Sequence, residues 1–295
     1  MEHKTVIVIG AVNVDICGRP ADTPNMKDSN PGRVSLTAGG VGRNIAHNLR
    51  LLGVDVKLVA AIGSDVYGES VYRSCTELGI DMSMSRHING GHTSTYLYVT
   101  DEKGEMVIAV CDADIAGSIT PSYLSLLLDK LNAADAVVID GNLSAEAIKW
   151  IGENVTAPLY ADPVSITKAQ RMKPVLPKLA AFKPNDAEAM SMTGAATPLL
   201  AAEALLAQGV KRVFVSLGAD GIVAAEDGEV VKLPCGKAEI VNTTGCGDAA
   251  TAAMVWGGIN GLDLAETAYA AMTAAQLTLE CEETVNPDLC AELLL

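Results

Sequence analysis

The segment Gly245-Cys246-Gly247-Asp248 places two glycines and a carboxylate just before an apolar stretch. Glycine lets the backbone approach a ligand closely, and the amides of a first helical turn have no partners within the helix. Such a helix start binds phosphate oxygens or negative charge that develops on them. Asp248 can accept a hydroxyl proton there, although favourable interaction with the helix dipole is an alternative explanation. The segment therefore indicates phosphoryl-transfer chemistry.

A second glycine-rich segment, residues 38–44, also precedes a helical stretch. It lacks the Gly-x-x-x-x-Gly-Lys-Ser/Thr spacing of a P-loop, and residues 10–13 after the first predicted strand lack Gly-x-Gly-x-x-Gly. Close backbone approach at Gly39 and Gly40 remains possible, and the Asn44 amide offers both a donor and an acceptor. This combination suits sugar hydroxyl groups.

The elements that must position these segments alternate between strand and helix, which is typical of a parallel sheet covered on both faces. The predicted strands are 6–9, 56–62, 136–140, 159–162, 181–183 and 212–217, and the predicted helices are 42–52, 68–78, 121–131, 145–154, 198–208, 245–256 and 264–279. With 295 residues, of which 49 % are apolar, the chain can bury one large core. We predict a doubly wound, mostly parallel α/β sheet in a single domain, 1–295.

Polar side chains recur where the predicted strands end, at Asn13, Asp15, Asp140, Asn142, Asp162, Lys183, Asn185 and Ser216. Each alone is equally well explained as a turn residue or a helix cap. Their recurrence after five strands favours a ligand site, because open α/β sheets bind ligands at the carboxyl ends of their strands.

Two segments interrupt the alternation of strand and helix. Residues 94–99 and 106–110 form a predicted hairpin with its turn at 100–104, and residues 15–37 contain three prolines and little helical pattern. Such a hairpin must either edge the main sheet or form a separate flap. We expect a small inserted β-sheet, with strands from about 12–37 and 93–111.

Composition narrows the possible partners. The net charge of −15 argues against nucleic acid, although it is equally typical of a soluble surface. No apolar run of about 18 residues is present, which argues against a membrane span. The N-terminus lacks a secretory signal pattern, and seven cysteines without a Cys-x-x-Cys pair suit reduced thiols in the cytoplasm.

Taken together, the motifs resemble the signatures of the ribokinase-like (pfkB) carbohydrate and nucleoside kinases. The two main ones are Gly39-Gly40-x-Gly42-x-Asn44 and Asn242-Thr243-Thr244-Gly245-x-Gly247-Asp248. Lys183-Pro184-Asn185-x-x-Glu188 and Ser216-Leu217-Gly218-x-x-Gly221 match two further elements in the expected order. The resemblance implies a doubly wound domain with a β-sheet lid. Segments 39–46, 93–97, 162–165 and 281–287 resemble the branch of the family that acts on pseudouridine.

The resemblance also implies a role for each matching residue. The acceptor would be bound by Asp15, Gly39, Gly40, Asn44, Ser94 and Tyr96. ATP would be bound by Asn185, Ser216, Gly218 and Gly221, and Mg²⁺ would be organised by Asn185 and Glu188. Asp248 would be the base, and the amides of Gly245, Cys246 and Gly247 would stabilise the transferred charge. It implies ATP with Mg²⁺, pseudouridine or a related nucleoside as acceptor, and a homodimer through the lid. Another sugar or nucleoside acceptor, or a catalytically silent nucleoside-binding protein, remains as an alternative.

Two positions depart from the family pattern. Asn242 stands where many relatives have Asp, at a position associated with an activating monovalent cation, so the resemblance gives little reason to expect dependence on K⁺. Cys246 replaces the usual Ala. A thiol at a helix N-terminus can have a lowered pKa and be oxidisable, but we favour the alternative that Cys246 is a small side chain packed against the helix.

Overall fold

The computed structural model describes residues 4–295. Its strands are β1 (Thr5–Ile9), β2 (Asn13–Pro20), β3 (Gly32–Gly39), β4 (Asp55–Val59), β5 (Ala61–Gly63), β6 (Arg86–Ile88), β7 (Thr95–Thr100), β8 (Met106–Asp112), β9 (Ala136–Asp140), β10 (Leu159–Asp162), β11 (Leu179–Phe182), β12 (Arg212–Ser216), β13 (Ile222–Glu226) and β14 (Glu229–Leu233). Its α-helices are α1 (Val41–Leu51), α2 (Val66–Glu77), α3 (Pro121–Ser125), α4 (Leu128–Asn132), α5 (Ala145–Asn154), α6 (Ile166–Ala169), α7 (Asp186–Thr193), α8 (Pro198–Ala207), α9 (Cys246–Ile259) and α10 (Leu264–Leu279).

Eight strands form the main sheet, in the order β14-β13-β12-β11-β10-β9-β1-β4. The six strands from β12 to β4 are parallel, and β13 and β14 continue the sheet as an antiparallel hairpin. This confirms the predicted doubly wound, mostly parallel sheet. The carboxyl ends of the six parallel strands meet at one edge, which is where ligands of such sheets bind.

The core lies on both faces of the main sheet. In β1, Val6 and Val8 pack in a cluster with α1, α9 and α10, whereas Ile7 and Ile9 pack in a second cluster with α5 and α8. Because successive side chains of a strand point to opposite faces, a strand covered on both sides must be apolar throughout. The continuous apolar run of β1 is therefore explained by burial on both faces.

A smaller sheet stands apart, with the strand order β3-β2-β7-β8. Strands β2 and β7 are parallel neighbours, while β3 and β8 pair antiparallel on the outside. Its four strands come from the two segments, about 12–37 and 93–111, that interrupt the sequence pattern.

Two predicted elements are broken in the structure. The predicted strand 56–62 ends at Val59, because the backbone of Ala60 bonds to Ser85 and Arg86 instead of continuing the main sheet. Strand β5 then pairs with β6 in a separate two-stranded sheet. The predicted helix 121–131 divides into α3 and α4, with tighter i→i−3 bonds at Leu126 and Leu127 between them.

Within residues 4–295, no single helix combines the length and apolar character needed to cross a bilayer. One bent pair, α7 with α8, meets that length and composition when the two helices are taken together.

Candidate active site

A cleft of about 1550 Å³ lies between the carboxyl edge of the main sheet and the small sheet. Its walls come from the ends of β1, β9 and β10, from one face of the small sheet, and from the starts of α1 and α9. The structure thus brings the two glycine-rich segments to the same cleft.

The small sheet presents a polar face to this cleft. One row across its four strands is Thr37, Asp15, Tyr96 and Cys111, and the next contains Ser35, Cys17 and Tyr98. Ser94, which is buried just before β7, lines the cleft as well. Since residues facing one way alternate along a strand, the register of the four strands places all these groups on one side.

Asn44 reaches the cleft from the first turns of α1. Gly40 joins β3 to this helix with φ of 101°, and a Cβ at Gly40 would collide with the carbonyl of Ala11. The Asn44 side-chain oxygen accepts from Arg43 Nη1 at 3.3 Å, and its Nδ2 donates to Asp248 Oδ2 at 2.8 Å. Arg43 therefore fixes the orientation of the amide that meets Asp248.

Asp248 lies in the first turn of α9. Gly245 caps this helix with φ of 87°, and a Cβ there would collide with the carbonyl of Thr284. Gly245, as the N-cap residue, has no side chain that could cap the helix. The first-turn amides of α9 are thus available to an anion, as the sequence predicts.

The pKa of Asp248 is raised to about 7. Burial is the largest cause, and the nearby carboxylates Asp162 and Asp140 act in the same direction, while the hydrogen bond from Asn44 and the charge of Lys183 oppose them. A carboxylate with a pKa close to neutrality is well suited to accept a proton during catalysis.

Beneath Asp248 lies a buried polar network that motif reasoning did not assign. Lys183 Nζ lies 3.3 Å from Asp162 Oδ2, and the Thr251 hydroxyl donates to the same oxygen at 2.7 Å. Thr251 also donates to the carbonyl of Gly247 at 3.0 Å, which ties the network to the start of α9. The sequence feature that could have indicated this network is Thr251, which lies one turn after Gly247 in an otherwise apolar helix.

Asp15 lies at the acceptor side of the cleft. Its Oδ1 accepts from Asn13 Nδ2 at 2.5 Å, and a Cβ at Gly39 would collide with its carboxylate. Burial raises the pKa of Asp15, against the influence of Asn13 and Arg43. A side chain at position 39 would therefore displace the carboxylate of Asp15 from its present place.

The predicted nucleotide and metal residues lie along the neighbouring strand ends. Asn185 and Glu188 form a capping box that opens α7: each side chain accepts the backbone N–H of the other at 2.8 Å. Burial raises the pKa of Glu188. Ser216 forms a β-bridge with Asn185, and Gly218 and Gly221 follow in a turn with φ of 58° and 96°. These residues lie next to the cleft and are not among those that line it.

The two departures from the family pattern have structural explanations. Burial raises the pKa of the Cys246 thiol to about 11, which contradicts the alternative of a lowered pKa. The Asn242 side chain donates to the Glu282 carbonyl at 3.0 Å and accepts from the Thr244 N–H at 2.9 Å. Asn242 thus closes the loop before α9.

Known proteins resemble this chain over nearly its whole length. The family model described as pfkB family carbohydrate kinase matches residues 3–289. The chain is 36 % identical to pseudouridine kinase of Escherichia coli (strain K12), over 98 % of this chain and 94 % of that protein.

Solved structures of other proteins share the fold of this chain. The crystal structure of a putative sugar kinase from Clostridium perfringens is 31 % identical, with a TM-score of 0.86, covering 100 % of this chain and 95 % of the other. Arabidopsis thaliana ribokinase, solved with ribose and ATP, shares the fold at a TM-score of 0.86 and 21 % identity, covering 99 % of each chain.

Proposed function

Since this chain belongs to the pfkB family of carbohydrate kinases, we propose that it transfers the γ-phosphoryl group of ATP to the 5′-hydroxyl of pseudouridine. The products are pseudouridine 5′-phosphate and ADP. The family and its relatives make the chain a phosphotransferase with an alcohol acceptor, and the proposal concerns which alcohol it uses. Likeness to a pseudouridine kinase over nearly the whole chain is the observation that carries this choice.

The acceptor site supports a nucleoside. Asp15, Asn44 and the backbone at Gly39 and Gly40 bind the ribose hydroxyls, because they supply paired donors and acceptors beside Asp248. Ser94 and Tyr96, on the small sheet, cover the bound nucleoside. We propose that residues 1–295 work as one kinase domain, with the small sheet as its lid.

Asp248 removes the proton from the 5′-hydroxyl as its oxygen bonds to the γ-phosphorus. The bond from the γ-phosphorus to the bridging oxygen breaks, and ADP leaves with that electron pair. The first-turn amides of Gly245, Cys246 and Gly247 stabilise the charge on the phosphoryl oxygens. Such transfer depends mainly on positioning and electrostatics, which the cleft and the helix start supply.

ATP binds along the ends of β11 and β12, where Asn185, Ser216, Gly218 and Gly221 lie. Mg²⁺, when bound with the phosphates, neutralises part of their charge. No cluster of three or more His, Cys, Asp or Glu in residues 4–295 is arranged as a metal site. We place Glu188 near the ion through water, because one of its oxygens already accepts from Asn185.

The outer face of the lid supports a homodimer. On the side away from the cleft, two rows across its strands are apolar. The first row is Leu36, Ile16, Leu97 and Val110, and the second is Val34, Gly18, Val99 and Ile108. The side chains of Leu97, Ile108 and Val110 are 43 %, 60 % and 61 % exposed. Apolar patches of this kind mark interaction sites, and the two rows carry no charged side chain, so two copies of an acidic chain can meet there without like charges in direct contact.

We also propose a cytoplasmic location, because all seven cysteines are free thiols. Disulfides are rare in that compartment, where thiols are kept reduced.

A panel of acceptors tests the function. The purified chain is incubated with ATP, Mg²⁺ and one of pseudouridine, uridine, ribose, fructose or adenosine, and the phosphorylated product is identified by mass spectrometry. We expect the highest kcat/KM with pseudouridine. Turnover of free sugars without turnover of pseudouridine would refute the acceptor assignment and leave the kinase class intact.

A further inference from the structure

The carboxyl edge of the main sheet is rich in carboxylates beside the phosphoryl-transfer site. Asp162 and Glu188 are buried there with Asp248 close by, and the buried cation among them is Lys183, which is 4 % exposed at the end of β11. A buried lysine needs a counter-charge, and Asp162 provides one.

This ion pair leaves donor capacity at Lys183. Its Nζ lies 3.3 Å from Asp162 Oδ2, which is longer than the roughly 2.8 Å of a close charge-assisted hydrogen bond. The same oxygen already accepts the Thr251 hydroxyl at 2.7 Å. An ammonium group carries three donors, so the pair with Asp162 leaves protons for a further acceptor.

The backbone at Gly247 leaves a slot directly in front of this ammonium. Leaving aside Cys246, Asp248 and the backbone of the helix itself, a Cβ built at Gly247 would have Lys183 Nζ, at 3.6 Å, as its one heavy-atom neighbour within 4 Å among the described residues. Gly247 itself is exposed, so the slot opens toward solvent at the start of α9. Its position at the start of α9 suits one oxygen atom of an anion that is held by the first-turn amides.

The charge of Lys183 also reaches both neighbouring acids. Burial is the largest cause of the raised pKa of Asp248 and of Glu188, and Lys183 opposes it at both. The ammonium is therefore close enough to act on both the proposed base and the residue that we place near the metal ion.

We propose that the slot beside Gly247 receives a terminal oxygen of the γ-phosphoryl group of ATP, and that Lys183 donates a hydrogen bond to that oxygen. The hydrogen bond from Lys183 follows the oxygen from ATP to the phosphorylated product. Asp162 and Thr251 act as positioning residues that hold the ammonium in place. This inference rests on the proposed phosphoryl transfer and is independent of the identity of the acceptor.

Nucleotide binding separates this contact from a purely structural role, because ADP lacks the γ-phosphoryl group. Binding of ATP and of ADP to Lys183→Met, with Mg²⁺, is measured by calorimetry, together with kcat on the best acceptor. We expect ATP affinity to fall roughly tenfold, ADP affinity to stay within about twofold, and kcat to fall about 100-fold, as when one oxyanion donor is lost. Lys57→Met, which breaks the surface pair with Asp81, should leave all three unchanged.

Two further variants keep the test decisive if Lys183→Met does not fold. Lys183→Met with Asp162→Asn removes both buried charges, and Gly247→Ala fills the slot without changing any charge. Both variants should weaken the binding of ATP more than the binding of ADP. If the binding of both nucleotides is weakened equally, or if kcat is unchanged in a folded variant, the proposed contact between Lys183 and the γ-phosphoryl oxygen is contradicted. A wild-type chain that binds ATP but rejects pseudouridine refutes only the acceptor, and one that binds neither nucleotide refutes both proposals.

Discussion

The side-chain nitrogen of Asn44 lies 2.8 Å from the carboxylate of Asp248, although 204 positions separate the two residues. This bond joins the two glycine-rich segments across the cleft. It gives the proposed base a partner that also faces the acceptor, so that the hydroxyl and the carboxylate meet at a defined place.

Asp248→Asn should abolish most of the activity. The amide keeps the shape of the side chain but cannot accept the hydroxyl proton, so kcat should fall by about 100-fold to 10,000-fold. ATP binding, measured by calorimetry, should stay close to that of the wild type. Unchanged phosphorylation by this variant would exclude Asp248 as the base.

The activity should depend on pH around neutrality. Because ionised Asp248 is the base and its pKa is raised to about 7, kcat/KM should rise with pH through 7 and level off above it. The shift comes from burial, Asp162 and Asp140, against Asn44 and Lys183. A profile measured from pH 5.5 to 9 that is flat would contradict a base with this pKa.

The raised pKa of Asp248 should also make the stability of the folded protein depend on pH. The folded pKa of Asp248 lies above its unfolded value of 3.8, so the stability that the protonated carboxyl contributes is present below that value and is lost as pH rises through about 7. Asp248→Asn, which remains uncharged, should therefore unfold at a higher temperature than the wild type at pH 8. The difference should shrink as pH falls toward 5.5, and a constant difference would contradict the assigned shift.

A charge on the outer face of the lid should prevent dimer formation. Leu97→Lys places an ammonium in the middle of an apolar row, and burying it against a second copy is costly. Light scattering after size exclusion should show a dimer for the wild type and a monomer for this variant. Leu126→Lys, at a 78 % exposed position outside the lid, is the control. A monomeric wild type would refute the proposed assembly.

Cys246 should resist alkylation. Its pKa of about 11 leaves little thiolate at neutral pH, whereas Cys111 is exposed on the lid. Iodoacetamide at pH 7.5, followed by peptide mass mapping, should modify Cys111 first. Modification of Cys246 at the same rate would mean that the thiol is more accessible or more acidic than the structure indicates.

The regular elements were predictable where local signals agree. The bounds of β9, β10, α5 and α10 match those predicted. In the two helices the start is marked by a local signal, because Ser144 caps α5 and a capping box at Asp263 begins α10. The capping box of α7 is equally visible in Asn185-x-x-Glu188, where the family motif directed attention to the metal. The break at Ala60 was not predictable, because its cause is hydrogen bonding to residues 85 and 86.

The candidate site was predictable as a set of residues but not as a set of contacts. Glycine spacing and strand ends indicate Gly245, Asp248 and Asn44, because their chemistry is local. The ion pair of Asp162 with Lys183 depends on the order of β10 and β11 in the sheet, which no short window of sequence contains.

Only Gly40 separates strand β3 of the lid from helix α1, and Asn44 lies one turn into that helix. A change in the backbone angles of Gly40 would therefore change the angle between β3 and α1. Any rotation of the lid about Gly40 is applied at the end of the helix that carries the acceptor amide. We therefore expect a displacement of the small sheet to disturb the bond between Asn44 and Asp248, so that the base is held in place only while the sheet covers the site.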